Sequence, residues 1–270
     1  SFLVTSRETL EASLVVGIVL AYLNKTNNQN YRKTVFYAII VGIIASITAA
    51  FAFTFFSGGF EGKTEQIFEG TTMLIGAFLL TTMILWMMQQ RHIAKRIEGN
   101  VERHLMSSQP LFSHIGIFII IFIAIIREGV ETVIFLNAIN YANGINFIGG
   151  TLGIIAAIIV GYLFFISTRK INLKKLFNVS SVLLILFAAG LVAHGIHEFE
   201  EAGIVNGIVS PLFNINHILD ENGIAGGFMK GLFGYNGNPS LLEAISYISY
   251  LGLIFLLYRR IESSKVKAGN

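Results

Sequence analysis

The sequence contains no cysteine, which removes disulfide frameworks, thiolate metal sites, iron–sulfur clusters and cysteine nucleophiles together. Proline is scarce, with 3 residues against 23 Phe, so proline-rich linkers and disordered, hydrophobe-poor segments are excluded as well. Charge is the most telling shortage. Charged residues make up 13% of the chain, about half of the roughly 25% that a soluble domain carries. Several catalytic signatures are missing too. No G-x-x-x-x-G-K-[ST] occurs, so no P-loop hydrolyses a nucleotide here, and neither G-x-S-x-G nor H-E-x-x-H appears. A retinal Schiff base would need a Lys in the last apolar stretch, 241–258, which has none.

What is present is hydrophobic: 54% of residues, with a mean hydropathy of +0.68. Long apolar runs alternate with short charged connectors, the pattern of an all-α integral membrane protein. A window of about 19 residues yields seven spans near 3–23, 34–56, 69–90, 113–138, 148–167, 178–197 and 241–258. Strands of a membrane β-barrel would be about half as long and alternate in polarity, so that architecture is out. The first apolar run follows Arg7, Glu8 and Glu11 and is long enough to span, so it reads as a retained helix and not a cleaved signal. The 27 Gly suit close helix packing in a bilayer. The formal charge of +3 does not indicate a nucleic-acid partner, because the basic residues sit in short loops.

Those loops orient the chain. Lys25, Arg32 and Lys33 follow the first span, and Arg91, Lys95, Arg96 and Arg103 the third. Arg169, Lys170, Lys174 and Lys175 follow the fifth, and Arg259, Arg260, Lys265 and Lys267 the seventh. The opposite side has only Lys63 and Lys230. The positive-inside rule therefore places the N-terminus outside and the C-terminus in the cytoplasm. Tyr22, Trp86 and Tyr258 fall at inner ends, where an aromatic belt belongs. Acidic residues favour the outer side: Glu61, Glu65 and Glu69 before the third span, then Glu198, Glu200, Glu201, Asp220 and Glu221 after the sixth. An outer vestibule that concentrates cations is one reading; ordinary loop solvation is the other. Segment 91–109 repeats Ile93, Ile97, Val101 and Leu105 among charges, as a surface amphipathic helix would. Segment 203–239 is Gly-rich and nearly uncharged, suited to short helices or a re-entrant piece over the outer face.

The informative feature is charge within the spans. Arg7-Glu8-Thr9-Leu10-Glu11 opens the first span, and Arg127-Glu128-Gly129-Val130-Glu131 interrupts the fourth. Both read R-E-x-x-E. On a helix, i and i+3 share a face, so each copy presents two carboxylates together with an Arg in ion-pair reach of the second. Internal salt bridges would need one Glu per Arg, whereas each copy has two. Surplus carboxylates suit a hard cation such as Fe3+, Mn2+, Mg2+ or Ca2+. The motifs lie three spans apart on oppositely directed helices, so spans 1–3 and 4–6 are expected to form an inverted repeat with the seventh appended.

The chain resembles the Ftr-type and Efe-type high-affinity iron permeases, an iron/lead transporter family with two R-E-x-x-E motifs. Besides the motifs, the likeness rests on Arg7–Leu23, on Glu69-Gly70 leading into a span ending near Trp86, on His194-Gly195-Ile196-His197-Glu198-Phe199-Glu200-Glu201-Ala202-Gly203, and on Gly234-Tyr235-Asn236 through Pro239-Ser240-Leu241-Leu242-Glu243. It covers essentially all of 1–270, which would be a single polytopic permease domain. The resemblance implies a multi-pass transporter, not an enzyme, that imports ferric iron across the plasma membrane. Iron would be cargo, with no bound organic cofactor. Expected partners are membrane lipid, an extracytoplasmic oxidising protein (a haem peroxidase or a multicopper oxidase) and an iron-delivery protein such as a cupredoxin-like lipoprotein. A homo-oligomer is compatible with it. Glu8, Glu11, Glu128 and Glu131 carry over as metal ligands, and Arg7 and Arg127 as charge-balancing members of the motif. The residues by themselves leave two alternatives open: a permease for Mn2+ or Pb2+, and a membrane-embedded iron redox subunit.

Glu65, Glu69, His197, Glu198, Glu200 and Glu201 form an expected outer capture site. For Glu65 and Glu69 the competing reading is helix-dipole pairing at a helix start. For His194 and His197 it is hydrogen bonding at a helix end. Glu243, at the start of the last span, reads as structural. His114 and His217 read as interfacial, and the methionines form no thioether ladder.

Overall fold

The structure, a computed structural model, describes residues 1–89, 97, 99–102, 110–144, 147–166, 173–207, 209–221 and 223–267. Among the described residues all regular structure is helical: α1 (Phe2–Lys25), α2 (Arg32–Ser57), α3 (Lys63–Gln89), α4 (Pro110–Asn143), α5 (Phe147–Ile166), α6 (Leu173–Glu201), α7 (Ile224–Phe233) and α8 (Leu241–Lys267). Proline placement explains the unbroken lengths. Pro110 stands at the first position of α4, where no intrahelical N–H is required, and Pro211 and Pro239 lie in the α6–α8 connection. Even α5, with 20 residues, reaches the roughly 30 Å of a bilayer core. Among the described residues four stretches are long and apolar enough to cross a membrane: Gln29–Ser57, Lys63–Trp86, Val179–Glu201 and Leu241–Ile261. The other expected spans fall on α1, α4 and α5. Most of the expected 91–109 helix lies outside the described residues; Ile97 and 99–102 are helical, and Val101 is buried.

Two compact units divide the chain. The first comprises Ser1–Phe55, Gln90–Val133 and Asn146–Leu173; the second comprises Phe56–Gln89, Ile134–Ile145 and Lys174–Asn270. In the first unit, Val19 and Leu23 of α1, Val35 and Ala38 of α2, and Ile117, Ile121 and Ile125 of α4 form one buried cluster. Thr34 Oγ1 and His114 Nδ1 join α2 to α4 at 2.6 Å, which gives His114 a packing role. Helices α1 and α5 run in the same direction: Thr5 Oγ1 donates to the Gly150 carbonyl at 3.0 Å, and two turns on Ser13 packs against Gly161. The outward side of α2 carries Phe36, Ile40, Ile44, Ile47, Phe51 and Phe55, all exposed. That stripe suits lipid tails, and water would penalise it.

In the second unit Met73, Leu80 and Ile84 of α3, Phe135 of α4, and Leu184 and Leu191 of α6 are buried, and Gly76 of α3 lies against Phe135, Ala138 and Leu191. The 203–239 segment folds as irregular backbone around one short helix, α7. Tyr235 Oη donates to the Leu219 carbonyl and Tyr247 Oη to the Phe233 carbonyl, each at 2.8 Å. These bonds tie α7 to its flanks. Gly234 ends α7 at φ +66° and lies against the backbone of Gly190 in α6. A side chain there meets both the left-handed penalty and α6 itself.

Gly234→Ala should therefore destabilise the protein by about 1–3 kcal/mol and visibly lower its melting temperature in detergent. An unchanged melting curve would show that α7 is not held at this point.

Candidate metal site

The first unit buries charge where an apolar core would be expected. Arg7 and Glu8 on α1 are 1% and 2% exposed, and Glu128 on α4 is 4% exposed. One carboxylate oxygen from each of Glu8, Glu128 and Glu131 can be chosen so that all three lie within 4.8 Å of one another. Thus residues more than a hundred positions apart form one oxygen-only cluster.

The two sequence-identical charge patterns are resolved differently. Arg7 Nε pairs with Glu11 Oε1 at 3.1 Å, one turn on. Arg127 instead binds its neighbour Glu128 Oε1, at 2.5 Å from Nη2 and 3.1 Å from Nε, with Glu131 Oε1 further away at 3.5 Å. Both Arg residues thus reach the second Glu of their motif, and Arg127 binds the first more closely. Both oxygens of Glu8 and Oε2 of Glu128 are buried without a hydrogen-bond partner. Leaving a buried carboxylate oxygen unmatched costs several kcal/mol, so three Glu side chains that each bring an oxygen within 4.8 Å of the others are an arrangement a cation relieves. Glu11 is outside the triad and turned to Arg7, although the charge of Glu128 still acts on it.

Gly129 has a steric reason that the sequence did not disclose. Ser46 of α2 fills the place where its Cβ would stand, and Ser46 Oγ donates to the Gly42 carbonyl at 2.8 Å. Only glycine lets α2 pass this close to the motif turn.

The second unit gathers most of the expected capture residues at the end of α6 and the starts of α3 and α8. His197, Glu200 and Glu243 likewise offer donors within 4.8 Å of one another. His197 Nε2 lies 3.2 Å from Glu201 Oε1, and Gln66 Nε2 donates to Glu201 Oε2 at 3.0 Å. Glu65, Glu69 and Glu198 belong to neither triad, but Glu69 feels the charges of Glu198, Glu65 and Glu201. Glu243 does have the structural role expected of it. Its backbone N–H donates to Ser240 Oγ at 3.1 Å while its Oε1 accepts the Ser240 N–H at 3.0 Å, a reciprocal capping box. Sequence reasoning missed that it also joins His197 and Glu200. The S-x-x-E spacing signals the cap, and nothing local signals the cluster.

Apolar membrane-length helices with a buried carboxylate cluster between two of them are the class of fold in which membrane transporters are found. The chain belongs to the iron permease FTR1 family, whose profile matches residues 1–263. Among curated proteins it is similar to a ferrous iron permease EfeU of Yersinia pestis, 30% identical over 260 residues, covering 95% of this chain and 92% of that one. It is also similar to the ferrous iron permease EfeU of Escherichia coli O6:K15:H31, 29% identical over 255 residues, covering 93% and 91%. No solved structure matches the chain significantly. Iron is the transported substrate of this permease.

The Gly129 contact gives a paired test. Gly129→Ala should lower thermal stability by about 1–3 kcal/mol through overpacking, and adding Ser46→Gly should recover most of the loss. If the second change recovers nothing, the two residues do not meet.

Proposed function

We propose that this protein imports iron across the plasma membrane through the site built from Glu8, Glu128 and Glu131, with Glu11 beside it and Arg7 and Arg127 holding the carboxylates. The observation that carries this is the set of three buried, unpartnered carboxylate oxygens on two helices. The chain would form one seven-span domain with its N-terminus outside and its C-terminus in the cytoplasm. The parallel run of α1 and α5 is the relation that topology requires. The inverted repeat is supported by how the units are composed. Helices α1 and α2 share the first unit with α5 and most of α4, while α3 and α6 share the second. Corresponding members of the two threes thus fall together.

Two observations bear on the charge of the cargo. Oxygen-only ligands are hard donors, which favours Fe3+ and fits an external oxidase or peroxidase with a delivery protein. Four Glu against two Arg, however, leave a charge of about −2 when all are ionised, which Fe2+ neutralises and Fe3+ exceeds. That second reading accords with relatives named as ferrous iron permeases. Uptake of labelled iron into proteoliposomes, with ascorbate or with ferric citrate, separates them. Ferric import requires activity without reductant; activity confined to the ascorbate arm makes the cargo ferrous.

In the same assay Glu8→Gln, Glu128→Gln and Glu131→Gln should each abolish uptake while the protein still reaches the membrane, and Glu11→Gln should do the same through release of Arg7. Arg7→Lys and Arg127→Lys should impair it, because an ammonium cannot replace a planar fork. Normal uptake in any two of the four Gln variants would remove the site as drawn.

The outer acidic residues Glu65, Glu69, Glu198, Glu200 and Glu201, with His197, would act as a capture zone. Glu65→Gln, Glu69→Gln and Glu198→Gln should raise the half-saturating iron concentration more than they lower the maximal rate. High salt should shrink that difference, since such fields are screened over about 8 Å at physiological ionic strength. A salt-independent collapse of the maximal rate would place these three carboxylates on the path itself.

A further inference from the structure

We propose that His197, Glu200 and Glu243 form a second metal site that takes a divalent first-row transition cation such as Mn2+ or Fe2+. It deepens the capture role proposed above and rests on that reading only for the direction of travel. Three features distinguish this triad from the acidic residues around it.

The first is donor availability. Glu200 Oε1 is a buried atom with no hydrogen-bond partner. His197 Nδ1, also buried, is in an ion pair with Glu243 Oε1 at 3.1 Å, and a metal would take the place of the imidazole proton between them. Two ligands held about 2.1 Å from one ion at right angles are about 3 Å apart, so this spacing suits a shared cation. The second is orientation by outer partners. Glu201 Oε1 takes His197 Nε2 at 3.2 Å, which turns Nδ1 toward Glu243. Ser240 Oγ donates to Glu200 Oε2 at 2.6 Å and leaves Oε1 over. Asn236 Nδ2 donates to Glu243 Oε2 at 2.7 Å, and Ser240 N–H fixes its other oxygen. Such outer contacts hold ligands in the geometry a metal needs. The third is access: the His197 side chain is 37% exposed beside a Glu243 that is 2% exposed, so the cluster has one open side.

A capping box and a helix-end histidine account for Glu243, His197 and Glu201, but not for the buried Glu200 Oε1 left without a partner beside them. The donor set also differs from that of the first unit. One imidazole nitrogen with two carboxylates is a borderline set, which favours Mn2+, Fe2+, Co2+ and Zn2+ over Mg2+ and Ca2+. Once a metal displaces the imidazole proton held toward Glu243, the two carboxylates of the triad supply a charge of about −2, which matches a divalent ion. Three protein ligands leave positions for water, as an exchanging site requires.

The test uses the full chain in zwitterionic nanodiscs with Mn2+ as probe. A Glu8→Gln/Glu128→Gln/Glu131→Gln background silences the other cluster. This background should still bind one Mn2+ per chain, with imidazole-nitrogen coupling in pulsed EPR. Adding His197→Gln should erase that coupling and weaken binding at least tenfold. Glu200→Gln, which leaves the Ser240–Glu243 capping box intact, should weaken binding similarly while keeping the coupling. Glu201→Gln should have a smaller effect, through the orientation of the imidazole. Absence of nitrogen-coupled Mn2+ in the background protein, or coupling that survives His197→Gln, overturns the proposal. Nitrogen-coupled Mn2+ alongside uptake that ignores Glu8 and Glu128 would sustain this site while removing the transport site proposed above.

Discussion

A carboxylate held among membrane-length helices must have a partner, and that constraint shapes the first unit. Water supplies none in hydrocarbon, and the cost of an unmatched charge amounts to several kcal/mol. The motifs bring four Glu and only two Arg. Arg7 turns to Glu11 and Arg127 to Glu128, so the remainder falls on Glu8, on the second oxygen of Glu128 and on Glu131. Packing then holds the surplus in place. Gly129 lets α2 approach α4 at the motif, and the α1–α4 cluster around Val19, Leu23, Ile117 and Ile121 fixes the two helices below it.

The same constraint is met differently in the second unit, where the carboxylates sit at helix ends. The Ser240 N–H just before α8 and His197 meet Glu243, and side chains of Ser240, Asn236 and Gln66 take up much of the rest. Helix ends offer unsatisfied backbone groups that a helix middle lacks. Glu128 lies midway along the 34 residues of α4 and has no such resource. Its neighbours must be side chains or an ion.

How much of this the sequence disclosed follows from the range of each interaction. Apolar length and proline placement are local, so each expected span falls on a long helix. The pairing of carboxylates at i and i+3 is local too, and it led to Glu8, Glu128 and Glu131. What separates Glu11 from them is the rotamer of Arg7, which depends on packing around α1. The contrast between the two Arg residues is equally invisible, since the motif letters are the same. Glu243 shows the limit most clearly. Its S-x-x-E spacing announces a helix cap, while its meeting with His197 depends on how α6 and α8 pack within their unit. Gly129 stands where the first motif has Thr9, and only Ser46, over eighty positions away, gives the difference a reason.

A transport site must also release what it binds, and the Arg residues bear on that step. If the triad holds iron, departure of the ion returns the buried oxygens to their unmatched state. Arg127 is placed to moderate this. Its side chain is 49% exposed and already lies on Glu128, with Glu131 at 3.5 Å. A guanidinium with that freedom can shift between the two carboxylates and replace part of the charge that leaves. Arg7 is 1% exposed and paired with Glu11 in the interior of the unit. In a site that fills and empties, the more exposed Arg127 would be the one to supply counter-charge as the ion leaves.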